Sequence, residues 1–559
     1  MSSEGEKPDA LTTQLKREAS SSFMLSALIL SETKIDKSHI TTLLDKHTDD
    51  PKIKADALIK SAKITASASV AETTVMCDLI LDYDRHVNVK REVILILHKA
   101  GHVFKALEII EEILEFEDEF PPAFSRRIKQ IQNEAQFLRT GFPMPSDAID
   151  VSWEPEVDIL YAAAMSIPYH TTGYATRTHS LLKAMQANGI DACCVTRFGY
   201  PWDGADARQL SESKETEVIE NVRYQHLAGD SAFHTPLSDY MAKAASAFIS
   251  VIEKEKPKLI IAGSNYVNAL PALMAAKQTG VRFGYDMRGL WEHTAASKIK
   301  GWEHTDRFLI SRQAETLIAA EADIVFAISE ALGEEMMNRG VDGEKITILQ
   351  NSVDMERFDV NHMDINKRLD LDIPQNAIVF GFTGSIEPYE GTDDLVRAFK
   401  KVIEAGIDAY LLIVGDGSYS RQLGDLVASL DIASRIRLTG RVAFSDVLPY
   451  SNSCDVFVYP RKRSSVTELV PALKPLEAMA LKKPVIISNV RALAELVGGA
   501  ENAIFCAPEN EQELAEAMTR IAKDDQLRTK LGDRGLNFVR DERNWNKTVQ
   551  KVSSYLDKL

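Results

Sequence analysis

No apolar run in this sequence approaches the ~20 residues that cross a bilayer. The stretch Phe23-Met-Leu-Ser-Ala-Leu-Ile-Leu30 is short and lacks a small-residue cleavage site, so it reads as a buried helix segment rather than a signal sequence. A cytoplasmic protein is expected, with peripheral contact at the inner membrane face left open. Cysteine is scarce. Cys77, Cys193, Cys194, Cys454 and Cys506 are odd in number, lie among apolar residues and have no metal-ligand spacing, which argues for reduced core thiols and against a disulfide scaffold. An excess of positive charge is also lacking. With 82 acidic against 65 basic residues, the formal charge of −17 argues against a general nucleic-acid-binding surface.

Apolar material, by contrast, is ample. The chain is 45% hydrophobic and 26% charged over 559 residues, which suits a globular protein of three or four domains. A polar tail over residues 1–18 is expected to be disordered. Residues 19–145 carry helical periodicity and almost no strand signal. Within them Val93-Ile-Leu-Ile-Leu-His-Lys-Ala-Gly-His102 and Ala106-Leu-Glu-Ile-Ile-Glu-Glu-Ile-Leu114 read as a helix, a turn and a helix. The pair resembles one tetratricopeptide-type hairpin, without a clear repeat at fixed period. Gly141-Phe-Pro-Met-Pro-Ser146 reads as a linker.

After residue 150 apolar runs alternate with amphipathic segments, the pattern of parallel sheets covered by helices. Strands are expected at Ile159–Ala164, Ala192–Val195, Leu259–Ala262, Arg282–Tyr285 and Ile324–Ile328. A second set follows at Ile378–Phe382, Tyr410–Val414, Ile436–Leu438, Val456–Tyr459 and Val485–Ile487. The fold class is therefore α/β, with two tandem Rossmann-like, doubly wound domains (150–350 and 351–540) after an all-α domain. Residues 541–559 form a terminal helix expected to pack back on the first α/β unit. Ligand sites in such units lie at the carboxyl ends of the strands.

The densest chemistry lies in Arg461-Lys-Arg-Ser-Ser-Val-Thr-Glu-Leu-Val-Pro-Ala-Leu-Lys-Pro-Leu-Glu477-Ala-Met-Ala. Arg461 and Lys474 are cations suited to a diphosphate. Pro475 fits the first turn of a helix, with the amides of Leu476 and Glu477 expected to point free into the cleft. Glu477 can accept two hydrogen bonds from a ribose diol, and Glu468 can meet a sugar hydroxyl. Two glycine turns, at Gly384-Ser385 and at Gly415-Asp-Gly417, allow close backbone approach to a ligand. The bland alternative is a solvated basic loop followed by a carboxylate favoured by a helix start. Asp370-Leu-Asp372 has the spelling of a metal-binding pair but sits at a helix end before Pro374, so no metal site is expected.

Taken in order, these motifs resemble the retaining glycosyltransferases of the GT-B fold, the large family that includes sucrose synthase and many bacterial polysaccharide enzymes. The set comprises Ser166-Ile-Pro-Tyr-His-Thr-Thr-Gly173, Asn351-Ser-Val-Asp354 with Phe358, the loop after Gly384, Gly415-Asp-Gly417, Leu476-Glu-Ala-Met-Ala480, Lys483-Pro-Val-Ile-Ile487 and Trp545. It spans residues 155–559. The resemblance implies a nucleotide-sugar donor (a UDP-, GDP- or ADP-sugar), no cofactor, no metal, a glycan, lipid-linked or protein acceptor, and retention at the anomeric carbon. Two departures stand out. The family's paired glutamates are eight positions apart, which places Glu468 one residue out of register with Glu477. Its phosphate loop commonly ends in Lys-Gly, whereas here it reads Tyr389-Glu390-Gly391. Phosphate duty then falls to Arg461 and Lys474.

By position the first α/β unit takes the acceptor and covers the donor. Gly173 is expected to meet the donor, and Tyr174, Arg177, Arg288 and Trp291 to lie on the acceptor side. Asp286 and His170 join Glu468 as candidate catalytic groups. A sugar-nucleotide epimerase of the same fold and a non-catalytic GT-B unit serving the helical domain are the competing readings. The helical domain lies outside the motif set and is read as a recruiter of acceptor or protein partner, so removing residues 1–140 is expected to leave nucleotide binding measurable.

Overall fold

The computed structural model describes residues 10–32, 35–117, 119–145, 153–170, 172–204, 214–358, 366–443 and 446–559, with side chains from residue 21 onward. The first half of the expected tail, Ser146 of the expected linker and Thr171 of the 166–173 loop lie outside these residues. A helix runs over Ala10–Ser31, beginning inside the stretch 1–18 expected as a tail.

The chain forms two compact units. The first contains Met1–Pro143 and, in addition, residues 234–240 and 291–314, which the sequence pattern assigns to the α/β part. Its helices, Lys37–His47, Pro51–Thr65, Val70–Tyr83, Val87–Lys99, Val103–Leu114 and Pro122–Thr140, pack largely as successive neighbours. The 291–314 insertion is stitched in by backbone and by apolar contact. Lys300 N donates to Ala68 O at 2.8 Å, Val70 N donates to Lys300 O at 2.9 Å, and Trp302 and Phe308 bury against Val70. Asp306 then satisfies the start of the Val103–Leu114 helix, whose own N-cap His102 supplies no side-chain bond. One carboxylate oxygen of Asp306 accepts from Val103 N at 2.7 Å and from Phe104 N at 3.0 Å. A cut at residue 140 would therefore strip the 291–314 insertion of the helices it packs with.

The second unit holds both sheets. The first has strands β1 (Val157–Ala163), β2 (Ala192–Thr196), β3 (Thr216–Ile219), β4 (Val222–Gln225), β5 (Pro257–Gly263), β6 (Arg282–Met287), β7 (Ile324–Ala327) and β8 (Ile346–Ile348). Their order is β3-β4-β2-β1-β5-β6-β7-β8, all parallel except the β3–β4 hairpin. The second has β9 (Ile378–Thr383), β10 (Ala409–Val414), β11 (Ile436–Leu438), β12 (Val456–Tyr459), β13 (Val485–Ser488) and β14 (Ile504–Cys506), in the order β11-β10-β9-β12-β13-β14. Central strands such as β1, β9 and β12 are near-continuous apolar runs because helices cover both faces. All five cysteines are buried and free. Among the described residues no helix is long and apolar enough to cross a membrane. The terminal helix Trp545–Leu556 buries Trp545, Val549, Val552 and Leu556 with Ile159, Leu181 and Ile324 of the first sheet's core.

A buried polar hub joins that sheet to the segment leading into the second. Asp286, at the end of β6, is fully buried. Its Oδ2 accepts from Tyr161 Oη at 2.6 Å, Arg177 Nη1 at 2.8 Å and Arg288 Nε at 2.9 Å. Arg177 also donates to Asn351 Oδ1 at 3.0 Å and to Leu349 O at 2.9 Å, and its guanidinium lies over Trp545. Arg288 donates to Thr178 Oγ1 at 2.7 Å and to Tyr174 O at 2.9 Å. Burial works to raise the Asp286 carboxyl, but the Arg177 and Arg288 charges outweigh it and hold it below the usual aspartate range.

Two stability predictions follow from these contacts. Asp306→Ala leaves two helix-start amides without acceptors and should cost about 1–2 kcal/mol, seen as a lower melting temperature. An unchanged melting temperature would contradict the capping role. Asp286→Ala leaves two guanidinium groups buried without a counter-charge and should cost about 3–5 kcal/mol in denaturant unfolding. A loss below about 1 kcal/mol, the level of an exposed pair, would contradict the hub.

Candidate functional site

Strand order locates the site. In the second sheet the chain winds outward from β9 to β11, then returns to the other side of β9 as β12. The crevice where winding reverses lies between the carboxyl ends of β9 and β12, the usual place for a ligand in open α/β sheets. Gly384 follows β9, Gly415 follows β10, and Arg461 follows β12 within two residues.

Two of those turns are zipped together. Gly384 N donates to Val414 O at 2.9 Å and Ile386 N to Asp416 O at 3.1 Å. Gly384 and Gly415 have φ of +134° and +140°. A Cβ on Gly415 would overlap the Gly384 carbonyl, and one on Gly384 would overlap the Lys474 side chain. Both positions thus need glycine for conformation and for space. Ser385, next to Gly384, is exposed.

Lys474 opens the short helix Lys474–Ala480, with Leu473 as its N-cap. The helix starts one residue earlier than expected, so the amides of Leu476 and Glu477 are not free. Both donate to Leu473 O, at 3.0 and 3.3 Å. Anion binding here must come from side chains. The Lys474 ammonium lies over the Phe382 ring at 4.8 Å and 3.0 Å from Glu390 Oε2. Arg461, almost wholly buried, donates Nη1 to Val470 O at 2.8 Å and Nη2 to Glu390 Oε1 at 3.2 Å. Its guanidinium faces the Tyr389 ring. Lys474 and Glu390 meet as a buried ion pair. Lys474 Nζ and Arg461 Nε are buried and make no hydrogen bond among the described residues, so both keep donors to spare. Lys474 is pushed below the ordinary lysine range, chiefly by burial.

Glu477, half-buried on the first turn of the same helix, is raised above the ordinary glutamate range by burial, with Arg357 and Lys474 opposing. Arg357, on the segment entering the second sheet, was not among the residues singled out in the sequence. No local pattern marks an arginine that meets a glutamate so far along the chain.

Glu468 lies elsewhere. Between β12 and the 474–480 helix the chain makes an extra short helix, Ser465–Leu469, closed by a capping box between Ser464 and Thr467. Glu468 Oε2 accepts from Arg491 N at 2.7 Å at the start of the helix Arg491–Val497, and Oε1 lies 3.1 Å from Arg463 Nε. Its carboxylate caps a helix and pairs with an exposed arginine.

On the first sheet, Gly173 opens the helix Gly173–Ala187, and a Cβ there would lie 3.8 Å from Leu473 Cδ1. This brings Gly173 beside the start of the Lys474–Ala480 helix. His170 lies near it, its Nδ1 at 2.8 Å from Tyr200 Oη. Tyr174 is adjacent, its hydroxyl pushed up to about 12 by burial. Arg177, Arg288 and Asp286, expected on the acceptor side and in catalysis, are buried together in the hub, where one carboxylate pairs with two guanidinium groups. Trp291, 37% exposed, belongs to the helical unit. Among the described residues no group of three His, Cys, Asp or Glu is placed to hold a metal ion.

Comparison with known proteins bears on this geometry. Residues 364–538 match the family Glycosyl transferases group 1, and residues 172–352 match the Glycosyl transferase 4-like domain. The capsular polysaccharide biosynthesis glycosyltransferase CapM of Staphylococcus aureus is 24% identical over 306 residues, which cover 54% of this chain and 76% of that protein. Two uncharacterized glycosyltransferases of Methanocaldococcus jannaschii, each 27% identical, cover 42% and 43% of this chain, and the alignments span 57% and 60% of their own lengths. Among solved structures, sucrose-phosphate synthase of Thermosynechococcus elongatus has a TM-score of 0.58 at 19% identity, covering 72% of this chain and 98% of that one. Anabaena HepE in complex with UDP has a TM-score of 0.56 at 18% identity, covering 72% of this chain and all of that one. At these identities the structures speak for the fold. Two glycosyltransferase family models thus match, one on most of the first sheet and one on the second, and the two-sheet arrangement is the GT-B fold of these neighbours.

Proposed function

We propose that the protein transfers a sugar from a nucleotide-sugar donor to a glycan or lipid-linked acceptor, with retention at the anomeric carbon. One observation carries the reading: Lys474, Arg461 and Glu477 converge where β9 and β12 end, next to Gly384. In this reading the diphosphate lies against the Lys474 ammonium and the Arg461 Nε–H, the two donors left unspent. Glu477 accepts from the ribose diol, with Arg357 behind it. The reaction needs a good leaving group and a held acceptor more than a protein base. The departing diphosphate takes the acceptor proton on the same face of the sugar, and the protein's part is positioning and stabilisation of charge developing on phosphate. Two buried cations suit that task because water does not screen them. No metal is assigned to this step. The capsular polysaccharide role named for the S. aureus relative supports a glycan acceptor, and the UDP held by Anabaena HepE supports a nucleotide in this crevice.

The test is a panel of UDP-, GDP- and ADP-sugars scored by thermal shift, since a ligand that binds the folded state raises its melting temperature by mass action. At least one should stabilise the wild type. Glu477→Ala should weaken that binding by roughly ten-fold or more, the worth of a hydrogen bond to a charged group, and Glu468→Ala should leave it unchanged. Failure of every donor to bind the wild type would overturn the reading.

A further inference from the structure

The donor crevice contains a carboxylate that a phosphate site would not be expected to tolerate. Glu390 is 4% exposed, and its two oxygens reach different cations, Oε1 the Arg461 guanidinium at 3.2 Å and Oε2 the Lys474 ammonium at 3.0 Å. Its placement is built. The turn Pro388–Glu390 is pinned against the end of β12, where Lys462 N donates to Tyr389 O at 2.9 Å. Gly391 holds φ at +71°, and any side chain there would overlap the Pro460 carbonyl. Tyr389, stacked by Arg461, closes the other side. We propose that Glu390 is the resident counter-ion of the donor site, holding Lys474 and Arg461 charged and aimed side by side while no diphosphate is bound.

The physical need is clear. Two cations buried next to each other repel, and each loses its water. Lysine can escape by shedding its proton, whereas arginine cannot. The charged groups facing Lys474 are Glu390 and Glu477, which favour the ammonium, and Arg461, which opposes it. Burial would raise the Glu390 carboxyl, yet the Arg461 and Lys474 charges more than offset it, so Glu390 stays ionised at neutral pH and able to fill this role. Glu390 is thus a positioning residue that acts through Lys474. It also gives a reason for glutamate at a place where the resembling family commonly has lysine: the cation has moved to position 474, and its counter-charge has taken the vacated place.

The proposal rests on the donor reading above, and its test separates the two. UDP, GDP and ADP are titrated calorimetrically into wild type and Glu390→Gln across neutral and alkaline pH, with melting curves to verify folding. Affinity should fall on the alkaline side as Lys474 loses its proton. In Glu390→Gln that fall should lie lower by about one pH unit or more. Adding Lys474→Arg to Glu390→Gln should abolish it, because a guanidinium does not titrate there. An alkaline limb unmoved in Glu390→Gln would overturn the proposal while leaving the donor reading intact. No binding of any of the three by wild type would overturn both. Should Glu390→Gln fail to fold, 13C-lysine spectra of nucleotide-free wild type, assigned with Lys474→Arg, give the answer directly. Lys474 should be charged at neutral pH, and an uncharged Lys474 would overturn the proposal.

Discussion

Burying two positive charges side by side is the constraint around which the second sheet's crevice is organised. At an effective dielectric constant near 20, like charges about 4 Å apart repel by about 4 kcal/mol. Arg461 and Lys474 are tolerated together because Glu390 reaches both. That arrangement fixes the backbone around it. Gly391 must be glycine for the 388–391 turn to abut Pro460, and Gly384 must be glycine for Lys474 to cross over it. Lys474 stands at the head of its helix, where the amides are already bound to Leu473 O, so the ammonium itself, not the helix start, remains for a ligand.

The rest of the second unit holds the crevice's walls in place. The Asp286 hub ties β6 and the Gly173 helix to Asn351, on the segment that enters the second sheet. Arg543 donates to Gln350 at 2.7 Å and to Glu495 O at 2.8 Å, anchoring the chain that leads into the terminal helix. Across the two α/β halves, Ser329 Oγ donates to Leu469 O at 2.6 Å and Arg491 forms a paired contact with Glu334. Gly173 lies beside Leu473.

Much of this was legible in the sequence, for physical reasons that also mark the limit. All ten strands expected from apolar runs are present, within a residue or two at their ends, because strands of a sheet covered on both faces must be apolar throughout. Strands β3, β4, β8 and β14 were missed. All are three or four residues long, and β3, β8 and β14 lie at sheet edges with one flank paired, so their sequences carry little pattern. The glycine turns and the cations Arg461 and Lys474 were readable because glycine conformation and charge are local properties. Pairings across long separations were not. Glu390 stood out in the sequence as an exchange at a basic position, but its partner Arg461 is 71 residues away. Asp286, at a strand end, and Arg177, on the helix that Gly173 opens, read as site residues, and the long-range contacts that bury both in one cluster with Arg288 leave no local mark. The 291–314 segment follows a strand and was assigned to the sheet, yet its apolar residues Trp302 and Phe308 pack with Val70 of the helical unit.

The central claim is that the Lys474–Arg461 pair recognises a diphosphate. The most direct measurement compares binding of a nucleoside with that of its diphosphate, in wild type and in Lys474→Ala. Wild type should bind the diphosphate more tightly. Lys474→Ala should remove most of that difference, with nucleoside affinity unchanged. Equal losses for both ligands, or none for either, would contradict the account.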